Sequence, residues 1–314
     1  MEVLCGYKEI KKNYPNPIVT IGNFDGLHLG HKQIIQTVTK RAKAEKGFSV
    51  VYTFKPHPHL AISPNHPLQL LNTYEEKIEL LENMGVDLVV EEPFSREFSN
   101  ITPEKFLSDI LLKTLSTKVL YVGYDFKFGN NRTGNLEFLQ NFCKKKGIEL
   151  YIAKPLKVQS EICSSSRIRN YLLEGNVSQA NKLLGREFFY RGLVVRGDGR
   201  GRKIGFATAN VKSENKLSIK TGVYATWAVY QGKVHASVTN VGTRPTFHPE
   251  FDAPIVVETH ILDFNRDIYG EVLEVRIVER LRDELKFKSI DELIANIKND
   301  IAQSKTILIK DNPL

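Results

Sequence analysis

The stretch Thr20-Ile-Gly-Asn-Phe-Asp-Gly-Leu-His-Leu-Gly-His31 overlaps the apolar run Ile18–Ile21 and leads into a segment whose apolar stripe is Ile34, Ile35, Val38 and Ala42. That order predicts a buried strand, a tight turn and an amphipathic helix. Three glycines, an aspartate and two histidines stand where strand gives way to helix. A helix beginning there aims its first N–H groups and the positive end of its dipole at whatever binds. Gly26 and Gly30 remove side chains, so an anion can reach the backbone. His28 and His31 can donate to phosphate oxygens and offset charge at a phosphorus under attack. A zinc site lacks a third nitrogen or sulfur ligand at supporting spacing, although His57 and His59 could approach in space. On spacing alone, a phosphate site and a structural turn both stay open.

On either side of this stretch, short apolar runs alternate with helical periods up to about residue 155. Strands are expected at Ile18–Gly22, Phe48–Thr53, Asp87–Glu91, Lys118–Gly123 and Glu149–Ala153. One intervening helix carries Tyr74, Ile78, Leu81 and Met84, closed by Gly85. Another opens at Thr102-Pro103-Glu104 and buries Phe106, Ile110 and Leu111. Such alternation implies an α/β domain with a parallel, doubly wound sheet, which binds ligands at the carboxyl ends of its strands. Two short helices, Ile168–Glu174 and Ser178–Leu184, follow Ser164-Ser-Ser-Arg-Ile-Arg169. Strands then recur at Phe189–Val195, Val223–Tyr230, Val234–Thr239, Ile255–Leu262 and Val272–Val278, two of them joined by a hairpin turn at Gln231-Gly232. This second part reads as an antiparallel β-barrel with a C-terminal helix, capped by Ser289 and Glu292 and packed through Ile290, Leu293, Ile294, Ile297 and Ile301. The domains are therefore expected at 1–185 and 186–314.

The chain has 314 residues, 25% charged and 41% hydrophobic, the balance of a folded soluble protein. It holds no apolar run of the ~20 residues a membrane helix needs and no signal-peptide core, so a cytoplasmic protein without membrane partners is expected. Cys5, Cys143 and Cys163 show no C-x-x-C spacing, which argues against a disulfide framework. The net charge of +8 points to anionic partners, either nucleic acid or small phosphorylated compounds. Lys144-Lys-Lys146 ends an apparent helix, where cations complement the dipole.

Gly22-Asn-Phe-Asp-Gly-Leu-His-Leu-Gly-His31 resembles the G-x-F-D-x-x-H-x-G-H signature of the nucleotidyltransferase superfamily, and Ser164–Arg169 is similar to its S-S-T-R-I-R motif. Val122-Gly-Tyr-Asp-Phe-Lys-Phe-Gly129 and Thr53-Phe-Lys-Pro-His-Pro58 resemble segments of the bacterial bifunctional riboflavin kinase/FAD synthetases. Arg196–Asn210 resembles the kinase motif G-R-x-x-G-F-P-T-A-N, with Ala207 where the family has proline. Asn240–Phe247 and Leu262–Gly270 also match family segments.

The resemblance implies a Rossmann-like nucleotidyltransferase domain followed by a riboflavin kinase barrel. His28 and His31 would be catalytic in adenylyl transfer, and Glu258 the base of the kinase. Gly22, Phe24, Asp25, Gly30, Ser164, Ser165, Arg167, Arg169, Gly197, Arg202 and Gly205 would hold ATP or its phosphates. Pro58, Asp125, Phe126 and Phe128 would line the flavin, and Thr208 and Asn210 would hold Mg2+ with ATP. By strand alternation Glu258 shares a face with Val256, His260 and Leu262, apolar surroundings that would raise its pKa. Riboflavin, FMN, FAD and ATP would be the partners, without nucleic acid, and the chain a monomer or weak homo-oligomer. The alternatives weighed are a non-catalytic flavin- or RNA-binding regulator and a nucleotidyltransferase acting on another phosphorylated acceptor.

Overall fold

Every residue of Pro17–Ile21 is buried, as a strand covered on both faces requires. It is β2 of a sheet whose other strands are β1 (Glu2–Leu4), β3 (Phe48–Lys55), β4 (Leu88–Pro93), β5 (Val119–Gly123) and β6 (Glu149–Ala153). The spatial order is β1-β4-β3-β2-β5-β6, with every neighbouring pair parallel. The computed structural model describes residues 1–63, 68–197, 199–213, 216–243 and 255–310. They divide into two compact units, Met1–Ser164 and Ser165–Leu314. β1 is missing from the sequence expectation; three residues are too short to show a period.

Alternate residues of the sheet feed two cores. One face sends Val51 and Val89 against Ile35 and Leu81 of helices α1 (Leu29–Ala44) and Tyr74–Asn83. The other sends Val19, Val50, Leu88 and Leu120 against Phe106, Ile110 and Leu111 and against Leu139 and Phe142 of helix Leu136–Lys146. Thr102 accepts the Lys105 N–H at 3.3 Å, and Pro103 opens the turn as expected. From Phe106 to Thr114 the helix widens to π geometry. Its buried residues fall at Phe106/Leu107, Ile110/Leu111 and Leu115, a longer spacing than 3.6, and the Leu115 N–H reaches back five residues to the Ile110 carbonyl. A hairpin of β7 (Lys157–Val158) and β8 (Glu161–Ile162) completes the first unit.

The second unit opens with helices Ser165–Glu174 and Val177–Leu184, grouped there with the barrel strands. β9 (Phe188–Val195), β10 (Ala209–Lys212), β11 (Gly222–Tyr230), β12 (Lys233–Thr243), β13 (Ile255–Ile261) and β14 (Val272–Arg282) close into a barrel in the order β10-β13-β12-β11-β14-β9. Gln231 and Gly232, at φ 49° and 75°, make the tight hairpin turn between β11 and β12. The short β10 lies in glycine-rich sequence and was not expected.

The C-terminal helix, Ile290–Lys310, corrects one expectation. Ile290 is 64% exposed and does not pack, whereas Asp300, Ser304 and Leu308 are buried. Asp300 receives both the Nε and the Nη2 of Arg282, at 2.9 and 2.7 Å, and Ser304 donates to the Ser237 carbonyl at 3.0 Å. Polar residues can be buried when paired in this way, and an apolar pattern does not reveal them. In the first unit, Leu111→Ala should lower stability by about 2–5 kcal/mol, read by urea denaturation, because a fully buried side chain leaves a cavity.

Candidate functional site

The chain runs from β2 to β3 on one side of the sheet, while β5 lies on the other, so the carboxyl ends of β2 and β5 flank a topological switch point. The Gly22–His31 loop leaves one end and Tyr124–Gly129 the other. Phe24 and Leu27 hold φ of 51° and 40°, unusual for bulky residues, in a loop whose side chains Phe24, Asp25, Leu27 and His28 are all buried. Two contacts fix it: Asp25 accepts the Leu71 N–H at 2.9 Å, and Gly26 donates to the Asn72 side-chain oxygen at 2.5 Å. A Cβ on Gly26 would lie 2.7 Å from Leu71 Cδ1.

His28 is the N-cap of α1, and its Nδ1 accepts the His31 N–H at 3.3 Å. Its own ring proton therefore sits on Nε2. The two imidazoles stack at 3.6 Å between centroids, with Phe24 edge-on to His31. A Cβ on Gly30 would meet the His28 ring at 3.2 Å, so glycine keeps room for the stack. His31 Nδ1 is buried without a hydrogen-bond partner. Burial, with the His28 ring beside it, holds His31 well below the ordinary imidazole range.

The expectation of free helix N–H groups is corrected. The His31 N–H goes to His28 Nδ1 at 3.3 Å, and the Gly30 and Leu29 N–H groups bond the Cys163 thiol sulfur, which burial holds above its usual pKa. Contact with an anion falls instead to the two rings and the dipole. Cys163 also brings Ser164 to within one residue of the first turn of α1. Ser165, Arg167 and Arg169 lie in helix Ser165–Glu174, across the division between the units.

At the end of β5, Asp125 is exposed and the stacked rings of Phe126 and Phe128 lie 5.2 Å apart. Phe128 is buried in the core against Phe106, leaving Phe126 the partly exposed member. Pro58 starts the short helix Pro58–Ile62 beyond β3.

In the barrel, Asn210, Glu258 and Asn240 lie side by side on β10, β13 and β12. Glu258 and Asn240 are half-buried, and Asn240 donates to Glu284 at 3.1 Å. The expected apolar surroundings of Glu258 are thus corrected to amide neighbours on its two flanking strands. Beneath the row, fully buried hydroxyls of Thr259, Thr239, Thr226 and Ser237 link at 3.0, 2.8 and 2.7 Å and hold the register. Asn210 is 7% exposed, with Oδ1 unpartnered, and a Cβ on Gly197 would lie 2.4 Å from its amide nitrogen. His260 Nδ1 lies 2.8 Å from the Ala207 carbonyl, tying the strand to the segment before Thr208. Arg202 is exposed on the short helix Arg200–Lys203, and Gly205, at φ 88°, faces open space. Asp198 and residues 244–247 of the matched segments lie outside the described residues.

The family model FAD synthetase matches residues 10–167, and the model Riboflavin kinase matches 184–308. A Bacillus subtilis bifunctional riboflavin kinase/FMN adenylyltransferase is 35% identical over 294 residues, covering 93% of this chain and 92% of its own. The chain belongs to this family. The Escherichia coli K12 protein of the same name is 36% identical over 90% of both chains. A solved Streptococcus pneumoniae structure, described as a macrolide-efflux protein, is 32% identical with a TM-score of 0.86, covering 96% of this chain and 98% of that one. Among the described residues no helix is long and apolar enough to cross a membrane.

Besides Cys163, sequence reasoning missed Lys77, whose burial depends on partners far along the chain. A neutral His31 gives a pH prediction. Unfolded, it protonates near 6.5, so its contribution to stability is complete above that value and drains as pH falls below it. Urea midpoints of the parent should fall between about pH 7 and about pH 5.5 more steeply than those of His31→Gln. A bound polyphosphate should raise the His31 pKa, read by histidine NMR.

Proposed function

We propose that the chain phosphorylates riboflavin to FMN and then adenylylates FMN, giving FAD and pyrophosphate. Residues 1–185 would carry the adenylyl transfer and 186–314 the kinase. The observation that carries the reading is that two of the buried polar atoms without a hydrogen-bond partner stand at the two expected sites. His31 Nδ1 stands at the switch point of the parallel sheet, and Asn210 Oδ1 stands beside Glu258 in the barrel. An unpartnered buried polar group is costly unless a ligand completes it.

In the first unit, an FMN phosphate oxygen attacks the α-phosphorus of ATP and the bond to the pyrophosphate oxygen breaks. His28, donating from Nε2, and His31 steady the oxygens at that phosphorus. Ser164 holds phosphate oxygens, while Gly22, Phe24, Asp25 and Gly30 shape the cradle. Phe126, backed by Phe128, faces the flavin ring, with Asp125 and Pro58 at its border.

In the second unit, Glu258 takes the proton of the ribityl hydroxyl as that oxygen attacks the γ-phosphorus of a second ATP, with ADP leaving in line. Gly197, Arg202 and Gly205 approach the nucleotide phosphates. The residues fit Mg2+: Asn210 Oδ1 is an oxygen donor without a partner, two residues from Thr208 in sequence. Among the described residues no cluster of three acidic, histidine or cysteine ligands competes for it. Bound there with the phosphates, Mg2+ would offset their charge. This reading includes a cytoplasmic monomer or weak homo-oligomer.

Incubation with riboflavin, ATP and Mg2+, with flavins resolved over time, should show FMN and then FAD. His28→Ala should lower FAD formation by roughly 10²–10³-fold with FMN formation intact. Glu258→Gln should slow phosphorylation by about 10²–10⁴-fold while supplied FMN is still adenylylated. Loss of both steps in either folded variant contradicts the assignment.

A further inference from the structure

Lys77 is 3% exposed, yet the chemistry above gives it no task. It lies on helix Tyr74–Asn83, which Thr73 and Glu76 cap reciprocally. Its Nζ donates to Thr53 Oγ1 at 3.1 Å, and that hydroxyl donates to the Asn23 carbonyl at 3.3 Å, inside the Gly22–His31 loop. Groups from each neighbouring element face it. Glu91 of β4 lies at 3.9 Å, the Tyr74 ring at 5.1 Å, and Asp25 of the loop and Lys55 of β3 act on its charge. Glu91 is itself nearly buried, its Oε1 without a hydrogen-bond partner.

Burial pulls the Lys77 pKa down to about 8, with Glu91 and Asp25 opposing the fall and Lys55 adding to it. Burial likewise raises Glu91, against the pull of Lys77 and Lys55. The sign matters. The unfolded lysine keeps its proton to about 10.5, so native stability rises with pH between the two values, and below about 8 the full desolvation penalty applies. Replacing a buried ion pair as a whole by apolar side chains is often neutral or stabilising. A lysine kept at that cost is not explained by stability.

We propose that Lys77 is a positioning residue for adenylyl transfer: through the Thr53 hydroxyl and the Asn23 carbonyl it holds the Gly22–His31 loop in the shape that presents His28 and His31. The proposal rests on the adenylyl-transfer reading. Asp25 anchors the same loop to Leu71, so the loop is held from two sides, one of them through the lysine.

The test uses the full chain with FMN, ATP and Mg2+, and riboflavin phosphorylation by the same chain as the control. Lys77→Met should lower kcat/KM for FAD formation roughly 10–100-fold, as misplacement of catalytic groups does. Phosphorylation should stay within about twofold. Thr53→Val should act in the same direction. In the parent, kcat/KM for FAD formation should fall above about pH 8, and Lys77→Arg, which keeps its charge, should restore activity and move that fall upward. Parental FAD formation in Lys77→Met or in Thr53→Val overturns the proposal, as does loss of both activities in folded Lys77→Met. If Lys77→Met does not fold, Thr53→Val decides. A parent that makes no FAD contradicts the adenylyl-transfer reading itself, a separate result.

Discussion

The fold of the first unit depends on the contact between the carboxyl end of β2 and the first turn of α1. A strand buried on both faces has to turn within a few residues into a helix packed back on the sheet. The turn is made by a loop with two bulky residues at positive φ and a histidine as helix cap. Such backbone is unfavourable by itself and persists when its surroundings over-determine it. Here they do, through Asp25 on Leu71, Gly26 on Asn72 and the Thr53 hydroxyl on Asn23. The stacked imidazoles follow from that geometry.

The barrel solves a comparable problem with strand register. Asn210, Glu258 and Asn240 come from three strands far apart in sequence, and a slip of one residue would turn any of them to the other face. The buried hydroxyls of Thr226, Ser237, Thr239 and Thr259 tie β11, β12 and β13 together directly beneath. Every member is satisfied, so the network specifies the pairing instead of penalising the core. Arg282 with Asp300 does similar work for the closing helix.

Much of this was legible in the sequence because it is local. The β2 run, the glycine–histidine spacing, the Thr102-Pro103 start and the Gln231-Gly232 turn each depend on neighbouring residues. What escaped was set by distant partners. Lys77 and Asp300 look like solvated charges until Thr53, Glu91 and Arg282 are placed beside them. Ile290 looks like core by period but lies beyond the barrel's reach at 64% exposure. Cys163 reads as an ordinary thiol, and only the fold puts its sulfur against the Leu29 and Gly30 N–H groups. The π turn at Phe106–Thr114 needs a spacing that a 3.6-residue period does not contain.

The central claim is that the strained loop exists to hold the His28 and His31 rings against a nucleotide. The most direct measurement is a crystal structure of the full chain with FMN and a non-hydrolysable ATP analogue. Oxygens of the α-phosphate should lie within about 3.5 Å of His28 Nε2 or His31 Nδ1, with the loop unchanged. A nucleotide bound with its α-phosphate remote from both rings would contradict the account.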